Sequence, residues 1–241
     1  MNTCLQAVFR IPEVQQRYDS TTFVPDNEID SGLYKIWKSK GDDGLREFFD
    51  SVRTATMPAG QGIGDAHELF QYLCDKLKFL DELCRFKIAD SITCKSCGNK
   101  EVKEDSVCEF SISTDKRNTP LTTAISQTVT PHEIDSWKCE KCNQLGCKKQ
   151  QLIGSFPNVM VFHMIPTHGS IDYSSVLVLN GKQYALIAVS CFNGGHWWGY
   201  GRNMPPGSPW YTLNDTQVSE HGPKQFPVAH TMRLLIYYRL D

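Results

Sequence analysis

Two groups of residues in this chain have the types and spacing to do chemistry. Toward the C-terminal end, His196 follows Gly194-Gly195 and opens an aromatic run. A second aromatic segment, Trp210-Tyr-Thr-Leu213, ends in Asn214-Asp215. Read as two adjacent strands, these segments set an imidazole beside a carboxamide or carboxylate, the pairing that orients a catalytic base. Such a base needs a nucleophile. The other group is two C-x-x-C pairs, Cys94-Lys-Ser-Cys97 and Cys139-Glu-Lys-Cys142. Each pair lets two thiolates reach one ion, and together they complete a tetrahedral site with Zn–S bonds near ~2.3 Å. Four thiolates leave no open position for water, so one structural Zn2+ on Cys94, Cys97, Cys139 and Cys142 is predicted. Gly98 suits the turn after the first pair.

The composition limits the partners. The chain has 241 residues, 40% hydrophobic and 22% charged, with a formal net charge of −2. That is ordinary for a globular protein and offers no basic footprint for nucleic acid. No apolar run approaches the roughly 20 residues that cross a bilayer, so no membrane partner is expected. The first residues lack the charged and apolar regions of a signal peptide. Ten cysteines in that setting argue for a reducing compartment, cytoplasm and/or nucleus. Cys74, Cys84 and Cys108 read as buried small apolar residues. Cys147 lies near the second pair, but its spacing from Cys142 is wrong for a ligand.

These residues need elements to position them. Leu5, Val8 and Phe9 share one face of a first helix, which Pro12 is expected to stop after Ile11. The stretch from Gln15 to Lys40 is irregular, with helical character around Leu33 to Trp37. A clear helix is predicted from Asp65 to Leu80, with Asp65 as N-cap, Glu68 three positions on, and Leu69, Phe70, Leu73, Leu77 and Leu80 at helical spacing. Residues 57–64 read as a flexible lead-in. Strands are predicted at Phe86–Ile88, Val107–Ile112, Asn158–His163, Ser175–Leu179, Tyr184–Val189 and Met232–Tyr238, with a hairpin turn at Asn180-Gly181. The strands between the cysteine pairs are expected to form one extended hairpin tied at its tip by zinc. A helical first third and a β-rich remainder make an α+β fold.

Taken in order, these segments resemble the catalytic domain of the ubiquitin-specific proteases, a papain-like family of cysteine deubiquitinases. Asp65-Ala-His-Glu-Leu-Phe70 is similar to the family's Q-D-A-x-E-F-L helix, with Gly64 in place of the Gln. The cysteine pairs match its zinc-binding fingers. Phe156-Pro-Asn-Val-Met-Val-Phe-His163 resembles L-P-x-V-L-x-x-H-L-K-R-F, with Met164-Ile-Pro replacing the basic-aromatic end. Tyr184–Val189, Gly195-His196-Trp197 and Trp210–Ser219 resemble the Y-x-L-x-A-V, G-H-Y and W-Y-x-F-[DN]-D-x-x-V-S boxes, and Leu234–Arg239 the closing strand.

The resemblance implies a thumb–palm–fingers fold in a single domain, 1–241, with the thumb at 1–90, the fingers at 91–150 and an antiparallel palm sheet at 151–241. It implies thiol-dependent cleavage of isopeptide bonds after the Gly-Gly of ubiquitin, with ubiquitin or ubiquitinated proteins as partners of a monomer. His196 would be the general base, Asn214 would orient it by accepting its Nδ1–H, and Asp215 would assist. Trp197 and Trp198 stand where Tyr is usual and belong either to the core or to the substrate channel.

The nucleophile is the open point. The family motif runs G-x-T-C-Y-M-N-x-x-L-Q-x-L-F, and Met1-Asn2-Thr3-Cys4-Leu5-Gln6-Ala7-Val8-Phe9 aligns to it without a gap when Met1-Asn2 is its M-N. Cys4 then falls five positions past the nucleophile, displaced roughly 7.5 Å along a helix and rotated about 140°. The rival register makes Cys4 the nucleophile but deletes about five residues at the tightest turn of the site. The gapless register predicts that the nucleophile lies upstream of Met1 and that this chain has little or no activity. A catalytically inactive ubiquitin or ubiquitin-like binding module is the alternative. A zinc-dependent nucleic-acid binder rests on the cysteine pairs alone, and the charge balance weakens it.

Overall fold

A computed structural model describes residues 2–41, 43–56, 64–205, 207–220 and 231–241. Apart from Gly64, the lead-in expected at 57–64 lies outside the described residues. The helices come first: α1 (Asn2–Val8), α2 (Pro12–Asp19), α3 (Glu28–Lys38), α4 (Leu45–Thr56), α5 (Ala66–Lys76) and α6 (Lys78–Cys84). Pro12 does not simply stop the first helix. It opens α2, where a missing N–H costs nothing, and α2 runs on into the stretch from Gln15 that reads as irregular. Val14 and Tyr18, one turn apart on α2, are fully buried, and the Tyr18 hydroxyl donates to buried Asp30 on α3 at 2.9 Å.

Asp65 caps α5 as expected, accepting from the His67 N–H at 2.7 Å. The single helix predicted over 65–80 is nonetheless two, because Leu77 adopts an extended conformation between α5 and α6. Leu73, Leu77, Leu80 and Cys84 are all buried, so burial on both sides of the break outweighs helix propensity.

The β region holds two main sheets. The first contains β1 (Phe86–Cys94), β2 (Lys100–Val107), β5 (His132–Lys138) and β6 (Leu145–Ile153) in the order β2-β1-β6-β5. It consists of two hairpins joined through the β1–β6 pairing, with each cysteine pair at a hairpin turn. The single extended hairpin expected between the pairs is thus replaced by two. The strand predicted over 107–112 also divides. After Val107 the chain leaves this sheet, and β3 (Phe110–Ile112), β4 (Thr119–Pro120) and α7 (Leu121–Val129) lie elsewhere.

The large sheet adds β7 (Val159–Met164), β9 (Val176–Leu179), β10 (Lys182–Phe192), β11 (Trp197–Gly201), β12 (Tyr211–Asn214), β13 (Gln217–Glu220) and β14 (Met232–Arg239), while β8 (Ile171–Asp172) pairs with β4. Its order is β13-β12-β11-β10-β14-β7-β3, with β9 beside β10. The pairs are antiparallel except β3–β7. Asn180 and Gly181 both take positive φ, 48° and 79°, in the β9–β10 hairpin, as a type I′ turn requires.

Period-two alternation buries this sheet on both faces. Val159 and Val161 of β7, with Leu234 and Ile236 of β14, pack with the helices. Met160, Phe162, Leu235 and Tyr237 join the opposite core beside α7. Helix α1 lies directly on β10 and β11. A Cβ at Gly199 would sit 2.3 Å from the Val189 carbonyl oxygen and 2.6 Å from Thr3 Cγ2. Gly199→Ala is therefore expected to lower stability by about 3 kcal/mol, the upper part of the overpacking range, read as a shifted urea midpoint with unchanged slope.

Candidate functional site

The predicted zinc ligands come together. The turns after the two pairs share one geometry: Gly98 N–H bonds to the Cys94 carbonyl (3.1 Å), Asn143 N–H bonds to the Cys139 carbonyl (2.8 Å), and both residues take positive φ. The four sulfurs lie within 4.8 Å of one another, with Cys94–Cys142 at 3.7 Å and Cys97–Cys139 at 3.8 Å. Tetrahedral bonds of about 2.3 Å place sulfurs roughly 3.8 Å apart, so the cluster fits Zn2+. The crowding splits the thiols. The Cys97 backbone N–H pulls Cys94 down to about 6, whereas at Cys142 the pull of the Gln144 N–H is outweighed by burial and the surrounding sulfurs, which push it up to about 12. A dication accepted by four thiolates removes that conflict. Cys147 is buried opposite Cys94 in the sheet and stands outside the cluster. Cys74, Cys84 and Cys108 are buried in the helical core, as expected.

His196 and Asn214 also meet. Strands β11 and β12 are adjacent and antiparallel, with Gly199 opposite Leu213. The His196 Nε2 to Asn214 Oδ1 distance is 2.6 Å. The carboxamide oxygen can only accept, so it fixes the Nε2–H tautomer. The nitrogen engaged is thus Nε2 rather than the expected Nδ1, and Nδ1 keeps its lone pair. Asn193, which the sequence did not single out, builds the loop. Its side-chain oxygen accepts from the N–H groups of Gly195 (3.0 Å) and His196 (2.9 Å). An Asn before Gly-Gly was the available signal for this turn. Trp197 is core, stacked on Phe192 at 4.7 Å, while half-buried Trp198 lies parallel to the imidazole at 6.4 Å. Asp215 contributes its backbone carbonyl, which accepts from Asn2 Nδ2 and Gln6 Nε2.

Cys4 is not at this site's surface. It is 1% exposed within α1, among the apolar side chains between the helices and the large sheet. Burial pushes its thiol up to about 12. Cys191 is likewise buried and pushed up to about 12.

A cluster that sequence reasoning missed joins three distant segments. His67 Nε2 on α5 is 2.5 Å from Glu109 Oε1, and His163 Nδ1 on β7 is 3.7 Å from the same oxygen. The two rings stack 3.7 Å apart at 12°. The three side-chain ligand atoms lie within 4.8 Å of one another, and the short His67–Glu109 contact links the cluster to a proton. Burial lowers the affinity of His67 for a proton, but the bond to Glu109 and the charges of Glu109, Asp65 and Glu68 outweigh it and raise its pKa. Burial and the neighbouring His67 lower that of His163.

The signs follow from linkage. The His67 contribution is complete below the ordinary value of 6.5 and is lost as pH rises through its raised value. The His163 contribution is present above 6.5 and is lost as pH falls through its lowered value. Glu109→Gln is expected to cost about 2–3 kcal/mol near neutrality and to flatten the alkaline limb of a stability–pH profile. His163→Gln should flatten the acid limb. Denaturant titrations across pH check both.

Comparison with known proteins places this geometry in context. A family model described as ubiquitin carboxyl-terminal hydrolase matches residues 49–174. No curated protein sequence matches the chain. Among solved structures, a SAGA DUB module of Ubp8, Sgf11, Sus1 and Sgf73 bound to monoubiquitin matches with TM-score 0.79 at 18% identity, covering 100% of this chain and 66% of that one. A yeast SAGA DUB module with a substituted Sgf73 gives 0.78 at 17%, with the same coverage. The module bound to ubiquitin aldehyde gives 0.76 at 17%, covering 100% and 67%. The chain thus spans 66% of the length of the first two. These likenesses establish the fold as α+β with antiparallel sheets, of the thumb–palm–fingers type.

Proposed function

Because this chain belongs to the ubiquitin carboxyl-terminal hydrolase family, we propose that it is a ubiquitin-binding domain of a cysteine deubiquitinase, with His196 as general base and Asn214 as its orienting residue. The observation that carries the reading is the 2.6 Å contact from His196 Nε2 to Asn214 Oδ1. With Nε2–H committed to the carboxamide, Nδ1 can take the proton of a thiol. The thiolate attacks the carbonyl carbon of the ubiquitin C-terminal glycine, and the imidazolium returns the proton to the leaving lysine amine. Water then attacks the acyl-thioester, with the imidazole again as base, and releases the ubiquitin carboxylate and the thiol. Asp215 assists through the turn that carries Asn214.

The thiol is supplied from outside the ten cysteines of this chain. Eight of them are buried, and the other two, Cys97 and Cys142, belong to the zinc cluster. The chain alone is expected to bind ubiquitin and to hydrolyse little or nothing. Its parts are assigned as thumb 1–90, fingers 91–150 and palm 151–241, with 108–131 returning from the finger sheet toward the palm. Ubiquitin, free or attached to a protein, is the proposed partner. The similar structures are multi-subunit modules, so association with other subunits replaces the expectation of a monomer, and a nuclear location is the one proposed.

Titration calorimetry with monoubiquitin, paired with a fluorogenic ubiquitin-amide assay, tests this. Binding without turnover is expected. In a longer chain that supplies the thiol, His196→Ala should lower kcat by about 10³-fold or more. Absence of ubiquitin binding, or full activity without His196, would overturn the assignment. Binding without turnover in every longer chain as well would favour the alternative of an inactive ubiquitin-binding module.

A further inference from the structure

We propose that Asn2 and Gln6 are positioning residues for His196, acting on Asn214 through the carbonyl of Asp215. This rests on the reading of His196 and Asn214 given above. Strands β12 and β13 are joined by the two-residue connection Asp215–Thr216, closed by the pairing of Asn214 with Gln217. Asp215 takes a positive φ of 52° at the first position of that connection, where tight hairpins favour glycine. For a residue with a side chain this conformation is costly, though less so for Asp than for most, and neighbouring contacts lend it support.

Helix α1 supplies that support. Asn2 and Gln6 are four residues apart, on one face of the helix. Both side-chain amides donate to the same acceptor, the Asp215 carbonyl oxygen, from Nδ2 at 2.6 Å and Nε2 at 2.9 Å. A carbonyl oxygen has two lone pairs, so the two donors saturate it. The other face of α1 carries the buried Cys4, Leu5 and Val8, which fix the helix against β10 and β11. The Gln6 Oε1 atom is buried with no hydrogen-bond partner among the described residues. The site tolerates that buried orphan while the Gln6 amide donates to Asp215.

The next residue back from Asp215 is Asn214, whose Oδ1 sits 2.6 Å from His196 Nε2. A continuous path of short contacts therefore runs from α1 through the turn to the imidazole. Rotation of the Asp215 peptide would move the Asn214 carboxamide and release the Nε2–H tautomer. The thumb helix thereby sets the orientation of a base carried by the opposite sheet.

The experiment is 15N NMR of the His196 ring at neutral pH, which reads the ratio of Nε2–H to Nδ1–H forms, alongside thermal unfolding. In the native chain the Nε2–H form is expected to predominate. In Asn2→Ala/Gln6→Ala the ratio should fall about tenfold, toward that of free imidazole, as it should in Asn214→Ala. A merely structural role would lower the melting temperature and leave the ratio unmoved in the folded state, which overturns the proposal. If Asn214→Ala also leaves the ratio unmoved, the pairing of His196 with Asn214 itself fails. Should the double variant lose its fold, Asn2→Ala and Gln6→Ala are read singly, and a ratio unchanged in both overturns the proposal.

Discussion

A Cys139→Ser chain is expected to bind no zinc in the fingers and to lose order in the four-stranded sheet while the large sheet survives. The reason is how little else holds the finger tip. All but one residue of β2 and five of the seven in β5 are exposed. Of the finger strands, Phe86, Ile88, Val107 and Ile153 join an apolar core, and all four lie at the end of the sheet away from the cysteine turns. Lys95 makes ion pairs with Glu133 at 2.7 Å and Asp135 at 2.9 Å, but solvent-exposed pairs contribute only about 0–1 kcal/mol each. Structural zinc in comparable small sites contributes on the order of 10–16 kcal/mol, which exceeds every other term at the tip. Hydrogen exchange reads the result. Amides of β1, β2, β5 and β6 next to the cysteine turns should lose about 10³-fold or more of their protection, while β10 and β14 keep theirs. Chelation of the native chain should reproduce the pattern, and metal analysis should fall from one zinc per chain to none.

Cys4 in the folded chain is expected to react with iodoacetamide at least about 10³-fold more slowly than in the unfolded chain. A thiol held at about 12 is almost wholly protonated near neutrality. An unperturbed cysteine near 8.5 is thiolate in roughly one molecule in ten at pH 7.5, so the difference in thiolate fraction alone supplies a factor of about 10³. Burial at 1% exposure adds to it, because reagent reaches the sulfur only when α1 opens. Mass spectrometry of timed, quenched samples measures both rates at the same residue.

The two sites differ in how they could be read in advance. The four zinc ligands were legible because each pair is local, and C-x-x-C spacing carries its own geometry. His196 and Asn214 were legible because strands that follow one another along the chain usually pair with each other. The Asp65 cap was legible for the same local reason. The two-hairpin form of the fingers was not, since it depends on β1 meeting β6, where Cys94 lies opposite Cys147. Helix α6 was hidden because the break at Leu77 answers to burial and not to any local breaker. The His67–Glu109–His163 cluster had no signal at all: a helix, a bend between two sheets and a strand supply one residue each. Which imidazole nitrogen faces Asn214 depends on a side-chain rotamer, and sequence does not carry that.

Incubating the native chain with ubiquitin bearing a C-terminal electrophile, followed by intact-mass analysis, decides whether this chain carries its own nucleophile. Reversible binding of the ubiquitin probe and no covalent adduct are expected, with His196 and Asn214 in place but no thiol beside them. An adduct on Cys4 that forms on the time scale of a catalytic thiol, and that disappears in Cys4→Ala, would contradict that expectation.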